Sequence, residues 1–123
     1  MTRDEILNMP AGREMDVMIE KIVFGHEPYL DALDIWRVDA GKDLERLLPK
    51  YSTNINSAFE ALYKWLDENS TYTVYIDFVN TTIGRIHEIV LWGMDDQPIY
   101  DARDESLSTA ICRAALLAVM EAE

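Results

Sequence analysis

The chain has 123 residues, of which 49% are hydrophobic and 28% are charged. This length and composition predict a single folded domain over residues 1–123, with a core that needs no disulfide or metal for stability. The 23 acidic residues outnumber the 11 basic ones and give a net charge of −12, which argues against direct binding to a nucleic-acid backbone.

Cysteine content and hydropathy indicate the compartment. Cys112 is the single cysteine, so no intramolecular disulfide can form and a reducing compartment is expected. No apolar run approaches the ~20 residues of a membrane-spanning helix, and we therefore expect no membrane association.

The first part of the chain predicts helices. Thr2 and Glu5 have the spacing of a capping box, which indicates a short helical turn at the start. A main helix is predicted from Pro10 to Gly25, because proline is tolerated in the first helical turn and glycine often ends a helix. Its apolar face has helical spacing and consists of Met15, Met18, Ile19, Ile22 and Val23.

Residues 26–50 show no sustained hydrophobic period and are predicted to form a long irregular loop or insertion. One short helical turn could form between Asp43 and Leu48. Four side chains of this segment could supply metal ligands, but spacing alone is weak evidence, and a solvated acidic loop is the favoured interpretation. They are His26, Glu27, Asp31 and Asp34.

A second helix begins near residue 52, where Ser52 or Thr53 can cap it. Its apolar stripe consists of Ile55, Phe59, Leu62 and Leu66, and Trp65 lies off that stripe. Three strands follow in an antiparallel meander, over Tyr72–Val79, Ile86–Trp92 and Ile99–Ala102. The middle strand is apolar on both faces, and core packing is the favoured interpretation for its Trp92.

The last helix starts after Ser106 and is apolar around most of its circumference, so it must be covered on more than one side. Either other helices of the chain or a second copy could provide that cover. Its small residues would allow close approach, and Ala110, Ala114 and Ala118 are the predicted oligomer interface.

No arrangement of residues predicts an enzyme, a cofactor site or a metal site. His87 and Glu88 could form an acid–base pair, but neighbouring residues of a strand point to opposite faces, so a polar region of the sheet is favoured. Cys112 could be a nucleophile, but free cysteines are usually buried, and burial is the favoured interpretation.

Five segments together resemble the phage ABA sandwich domain family, a group of small phage and prophage proteins of uncharacterised function. They are MPAGREMD (Met9–Asp16), EKIVFG (Glu20–Gly25), EPY (Glu27–Tyr29), PKYST (Pro49–Thr53) and AICRAALLAVME (Ala110–Glu121). The stretch from Leu30 to Leu48 is largely outside the resemblance and resembles an insertion.

The resemblance implies an α+β fold in which helices cover both faces of a small three-stranded antiparallel sheet, an α/β/α sandwich. It also implies a phage genome as the source and the host cytoplasm as the place of action. It supplies no catalytic residues.

The preferred hypothesis is a non-enzymatic phage accessory protein that binds a host or phage protein and forms a homo-oligomer, for example a homodimer. The residues expected to form its binding surface are Tyr29, Trp36, Arg37, Arg46 and Trp65.

Two alternatives remain open. In the first, the protein sequesters a small ligand such as a nucleotide signal, through the same aromatic residues and a group of cations: Arg37, Lys42, Arg46 and Lys50. In the second, which is less favoured, the protein is an acidic DNA mimic. Its acidic residues are scattered rather than arranged in rows.

Overall fold

The computed structural model describes residues 1–39 and 45–121. The described residues form four helices and two three-stranded antiparallel sheets, which places the protein in the α+β class as predicted. The elements in chain order are α1 (Arg3–Leu7), α2 (Arg13–Ile22), β1 (Pro28–Leu30), β2 (Trp36–Asp39), β3 (Glu45–Leu47), α3 (Ile55–Glu68), β4 (Thr73–Thr81), β5 (Gly84–Trp92), β6 (Tyr100–Asp104) and α4 (Leu107–Glu121).

The second sheet is the predicted meander, with strand order β4-β5-β6. The register pairs Tyr75 with Val90 and Val90 with Asp101. Because side chains alternate between the two faces of a sheet, Ile89 and Leu91 point to the opposite face from Val90. Both are fully buried, and this buried side is the face on which α4 packs.

The first sheet corrects the prediction of an irregular loop over residues 26–50. Strands β1, β2 and β3 lie within that range and pair in the order β1-β2-β3. The predicted helical turn between Asp43 and Leu48 is also wrong where the structure describes it, since Glu45–Leu47 is a strand; Asp43 itself lies outside the described residues. Strands of three or four residues are too short to produce a recognisable alternation, and Val38 is the fully buried residue among them.

Helix α4 is the centre of the core. It packs against α1, α2, α3, β5 and β6. Elements of the same chain therefore bury the helix, which is apolar around most of its circumference. Ala110, Ala114 and Ala118 are each 0% exposed, and the prediction that they form an oligomer interface is therefore wrong. Their small side chains instead allow the surrounding elements to approach the helix closely.

The two faces of the second sheet differ in their cover. Helix α4 packs on one face, where Tyr100 and Ala102 are buried beside the residues of β5. On the other face Tyr75 and Trp92 are 55% and 52% exposed, and no helix of the described part of the chain buries them. Helices therefore cover one face of this sheet, and the other face is the main apolar surface left open.

Candidate functional site

The exposed face of the second sheet carries two groups of apolar side chains, with the paired residues Asp77 and Glu88 between them. The register pairs Tyr75 with Val90, Thr73 with Trp92 and Val79 with Ile86, which places all of these side chains on the same face. We call this surface the open face and define its apolar part by five residues: Tyr75, Val79, Ile86, Val90 and Trp92. Large apolar side chains grouped in this way often mark a site of protein or ligand binding.

The open face is not flat. A shallow groove of about 310 Å³ is lined by Tyr75, Val90 and Trp92. Towards the β4–β5 turn, Val79 and Ile86 border a second hollow of about 240 Å³. The second hollow is also lined by Thr81, Glu88 and Arg103. The groove is therefore the apolar hollow that can receive a partner's side chain, and both aromatic rings lie beside it.

Acidic side chains lie between the two apolar groups of the open face and beside them. Arg103 Nε donates to Glu88 Oε2 at 2.8 Å, and this hydrogen bond raises the pKa of the Arg103 guanidinium. Asp77 pairs with Glu88 in the register, and Asp101 pairs with Val90, so both share the same face. Arg3 pairs with Asp101 at 3.6 Å, so three carboxylates against two guanidinium groups leave the surroundings of the groove with a small excess of negative charge.

A second candidate region is a buried cluster around Glu20, which is 0% exposed. Tyr51 Oη and Arg46 Nη2 both donate to Glu20 Oε1 at 2.8 Å. His26 Nδ1 lies 2.8 Å from Glu20 Oε2. Burial, together with the hydrogen bond to Glu20, raises the pKa of the Tyr51 hydroxyl.

Asp16, one turn earlier on α2, is also buried. Its Oδ1 accepts from the Ser52 backbone N–H at 2.8 Å and from Ser52 Oγ at 2.7 Å. Ser52 therefore does not cap α3 as predicted, and Asn54 caps it instead by accepting from the Ser57 N–H.

Among the described residues, every buried side-chain nitrogen or oxygen has a hydrogen-bond partner. The two acids of α2 accordingly connect that helix to β3 and to the segment before α3. This arrangement explains a structural role and leaves no free reactive group.

The five residues predicted to form one binding surface are separated in the structure. Trp65 is only 5% exposed, with its ring centroid 4.8 Å from Tyr72 and 6.4 Å from Tyr100. Its prediction as a surface residue is wrong, because α3 turns its alanines Ala58 and Ala61, and Trp65 with them, towards the core.

The other four lie in the first sheet but on different faces. Tyr29 pairs with Arg37, so the two share a face. Trp36 packs against the core instead, and Arg46 reaches inward to Glu20. A hydrogen bond to Glu45 raises the pKa of the Tyr29 hydroxyl. A single surface made of all the predicted residues does not exist.

Two of the four residues in the predicted cation group bind carboxylates. Arg37 Nε donates to Asp31 Oδ2 at 2.5 Å, and Arg46 is bound to Glu20. Lys50 is exposed, and Lys42 lies outside the described residues. Residues 1–39 and 45–121 contain no group of three or more His, Cys, Asp or Glu side chains placed to hold a metal ion.

The residues considered for catalysis point away from one another or are inaccessible. His87 Nδ1 lies 3.0 Å from the Glu105 carbonyl oxygen, whereas Glu88 binds Arg103 on the opposite face, as the strand alternation predicts. Cys112 is 0% exposed, which confirms the predicted burial, and burial raises the pKa of its thiol.

Sequence reasoning missed the open face because it expected Trp92 in the core. The strand is apolar on both sides, and nothing in its own residues indicates which side α4 covers. The one available signal was the number of helices: three of the four described helices pack around α4, which leaves no long helix for the second face.

The fold has a counterpart among solved structures. A phage protein from Bacillus cereus ATCC 14579, whose crystal structure was determined at 2.0 Å, matches with a TM-score of 0.69 and 21% sequence identity. The match covers 91% of this chain and 95% of that chain, so the two proteins share nearly their whole fold.

Comparison with protein-family models gives no match, and comparison with curated proteins gives none either. The resemblance to the phage ABA sandwich domain family therefore stays a prediction. No helix in the part of the chain that the structure describes combines the length and apolarity needed to cross a lipid bilayer.

Proposed function

We propose that the protein is a non-enzymatic phage accessory protein that acts in the host cytoplasm by binding another protein, of host or phage origin. The observation that carries this proposal is the open face, where Tyr75, Val79 and Trp92 are more than half exposed on a chain with a net charge of −12. The shared fold with a phage protein supports the phage origin.

The chemistry of the open face indicates which kind of partner surface would be complementary to it. Tyr75 and Trp92 offer large, rigid apolar area, which is typical of the residues that dominate binding energy at protein interfaces. Glu88 and Asp101 already pair with Arg103 and Arg3. Asp77 has no ion pair among the described residues, so the face favours a partner that places a Lys or Arg beside that carboxylate. A basic rim would also accelerate encounter with so acidic a chain.

The sequestration of a nucleotide has less support. The guanidinium groups of Arg37 and Arg46 already bind carboxylates, and the groove beside Trp92 has no cation among its lining residues. A phosphate group would therefore compete with Asp31 and Glu20 for these two guanidinium groups, and no residue that lines the groove offers it a positive charge.

The test is a binding comparison between two variants that each place a carboxylate at an exposed aromatic position. Trp92→Glu alters the open face, and Tyr63→Glu alters α3, where Tyr63 is 57% exposed. Wild-type protein is used to capture partners from infected host cells, and each captured protein is then purified and titrated by calorimetry. We expect Trp92→Glu to weaken binding roughly tenfold or more, and Tyr63→Glu to leave it unchanged.

Equal affinity of the two variants for every purified partner would contradict the proposal. Both variants are first compared with the wild type by circular dichroism, so that a loss of binding is not confused with a loss of fold. Calorimetry of the wild type against a panel of nucleotides tests the sequestration hypothesis. Heat of binding to a nucleotide would favour sequestration over protein binding.

We also propose that the protein works as a homo-oligomer. The residues first expected at the interface are buried inside the chain, so the contact between copies must lie elsewhere. The second sheet has exposed apolar side chains on its edge strand as well as on its open face. These side chains support the second sheet as the site of contact between copies.

A further inference from the structure

Strand β4 lies at an edge of the second sheet, and its whole length is suited to pairing with another strand. It is nine residues long and pairs on one side with β5. Natural edge strands are usually short or carry charges that prevent pairing between chains. This one has a single charged residue, Asp77, and exposes Ile76, Phe78 and Val79 by 46%, 55% and 60%.

The free backbone groups of β4 can be assigned by alternation. The Phe78 backbone N–H donates to the Asp77 side chain, Oδ1, at 2.8 Å, which indicates that it faces away from β5. In an antiparallel strand every second residue directs both its N–H and its C=O to the same side. Val74, Ile76 and Phe78 therefore direct their backbone groups to the free edge, and the Phe78 N–H would exchange the Asp77 carboxylate for a backbone carbonyl when a strand pairs there.

We propose that two copies of the chain pair through their β4 strands, antiparallel, about a two-fold axis at Ile76. In this register Ile76 faces Ile76 of the second copy, and Val74 faces Phe78 in both directions. On the opposite face Tyr75 lies across from Asp77, and Thr73 from Val79. In every facing pair at least one of the two residues is uncharged, so no like charges lie opposite each other.

The neighbouring register is disfavoured by charge. Shifting the axis by one residue to Asp77 keeps the same backbone groups at the edge but brings the two Asp77 carboxylates directly opposite each other. Like charges opposite each other on paired strands are destabilising. The single charge of β4 thus excludes the alignment that pairs all nine residues. Of the two alignments that pair seven, the axis at Ile76 sets apolar residues opposite one another, whereas an axis at Phe78 sets Ile76 opposite Asn80, so the axis at Ile76 is favoured.

This pairing rests on the proposed homo-oligomeric state and specifies its contact. It would join the two second sheets into one of six strands and make their open faces continuous. It would also support the end of the β4–β5 hairpin, which extends beyond β6, since β6 pairs only with His87–Leu91. Two-stranded ribbons alone have marginal stability.

Disulfide cross-linking of variants that each carry one introduced cysteine tests the register. Ile76→Cys places a thiol on the axis, where paired strands bring Cα atoms within the range that a disulfide requires. Cys112 is buried and does not compete. Ile83→Cys is the matched control, because Ile83 is 83% exposed but lies in the hairpin turn outside the paired residues.

Under mild oxidation at low protein concentration, we expect Ile76→Cys to form a covalent dimer several-fold faster than Ile83→Cys. Equal rates for Ile76→Cys and Ile83→Cys would overturn the proposed pairing.

Analytical ultracentrifugation separates failure of this contact from failure of the oligomer itself. Ile76→Lys places two like charges across the axis and should raise the dimer dissociation constant roughly tenfold or more, whereas Ile83→Lys should not change it. A wild-type dimer that Ile76→Lys leaves intact would overturn the β4 contact and keep the homo-oligomer. A monomer at all concentrations would contradict both.

Discussion

The two faces of the second sheet are made from the same strands but differ in what they contact. On β5, Ile89 and Leu91 are 0% exposed beneath α4, whereas Trp92, on the other face, is 52% exposed. An apolar residue in a strand therefore does not by itself identify the core; the position of the covering helix decides. It follows that the covered face should account for stability, and the open face should tolerate substitution and serve binding.

The largest effect on stability is expected at the covered face. Leu91→Ala removes a fully buried side chain and leaves a cavity against α4, so the free energy of unfolding should fall by about 2–5 kcal/mol. Chemical denaturation monitored by circular dichroism measures this loss.

Trp92→Ala is the matched control on the same strand. It removes a larger side chain from the open face, where half of it already contacts water, and should cost less than about 1 kcal/mol. A Trp92→Ala loss as large as that of Leu91→Ala would contradict the distinction between the faces.

A second comparison sets a buried ion pair against an exposed one. Glu20→Ala leaves Arg46 without its carboxylate and Tyr51 without its acceptor inside the protein, and should reduce the free energy of unfolding by about 3 kcal/mol. Arg103→Ala breaks the exposed pair with Glu88 on the open face and should cost at most about 1 kcal/mol. Similar losses of unfolding free energy in Glu20→Ala and Arg103→Ala would show that the cluster around Glu20 stabilises the protein no more than the exposed pair does.

Chemical labelling of Cys112 sharpens the description of the covered side. The thiol lies in α4 with no exposed surface, and burial raises its pKa, so little thiolate is present at neutral pH. We expect no reaction with a disulfide reagent in the native protein and full reaction after denaturation. Rapid labelling of the native protein would mean that α4 is not enclosed.

The smallest effect is expected in the first sheet, at Asp31. Its hydrogen bond from Arg37 is the main cause that lowers the pKa of this carboxyl below its usual 3.8. A lowered pKa stabilises the folded state above pH 3.8, and the stabilisation disappears as the pH falls through the folded value. Carboxyl NMR titration should give a midpoint below 3.8 in the wild type and a higher midpoint in Arg37→Ala, where the backbone N–H groups of Leu33 and Ile35 still donate to the carboxylate.

Regular elements could be predicted from the sequence where they are long. The strands β4 and β5 could be predicted from a run of β-branched and apolar residues bounded by turns, and the capping box of Thr2 and Glu5 is present in the structure. The first sheet was missed because its strands have three or four residues. The position of Arg46 depends on Glu20, which lies far away in the chain, and no local pattern reveals such a pair.

The roles of two tryptophans were assigned the wrong way round for a related reason. The predicted apolar stripe of α3 does face the core, since Leu62 is buried and Phe59 and Leu66 pack against the core. The buried side extends beyond that stripe to Ala58, Ala61 and Trp65. Small alanines contribute little to a hydrophobic pattern, yet they permit the closest approach to α4. Trp92 was expected inside because alternation identifies two faces without saying which one is covered.

Hydroxyl-radical footprinting inside host cells tests most directly whether the open face is a binding surface. Tyr75 and Tyr63 are 55% and 57% exposed, and they lie on the open face and on α3 respectively. The account predicts that Tyr75 and Trp92 are oxidised less in cells than in the dilute purified protein, with Tyr63 unchanged. Equal oxidation of Tyr75 and Trp92 in both settings would contradict it.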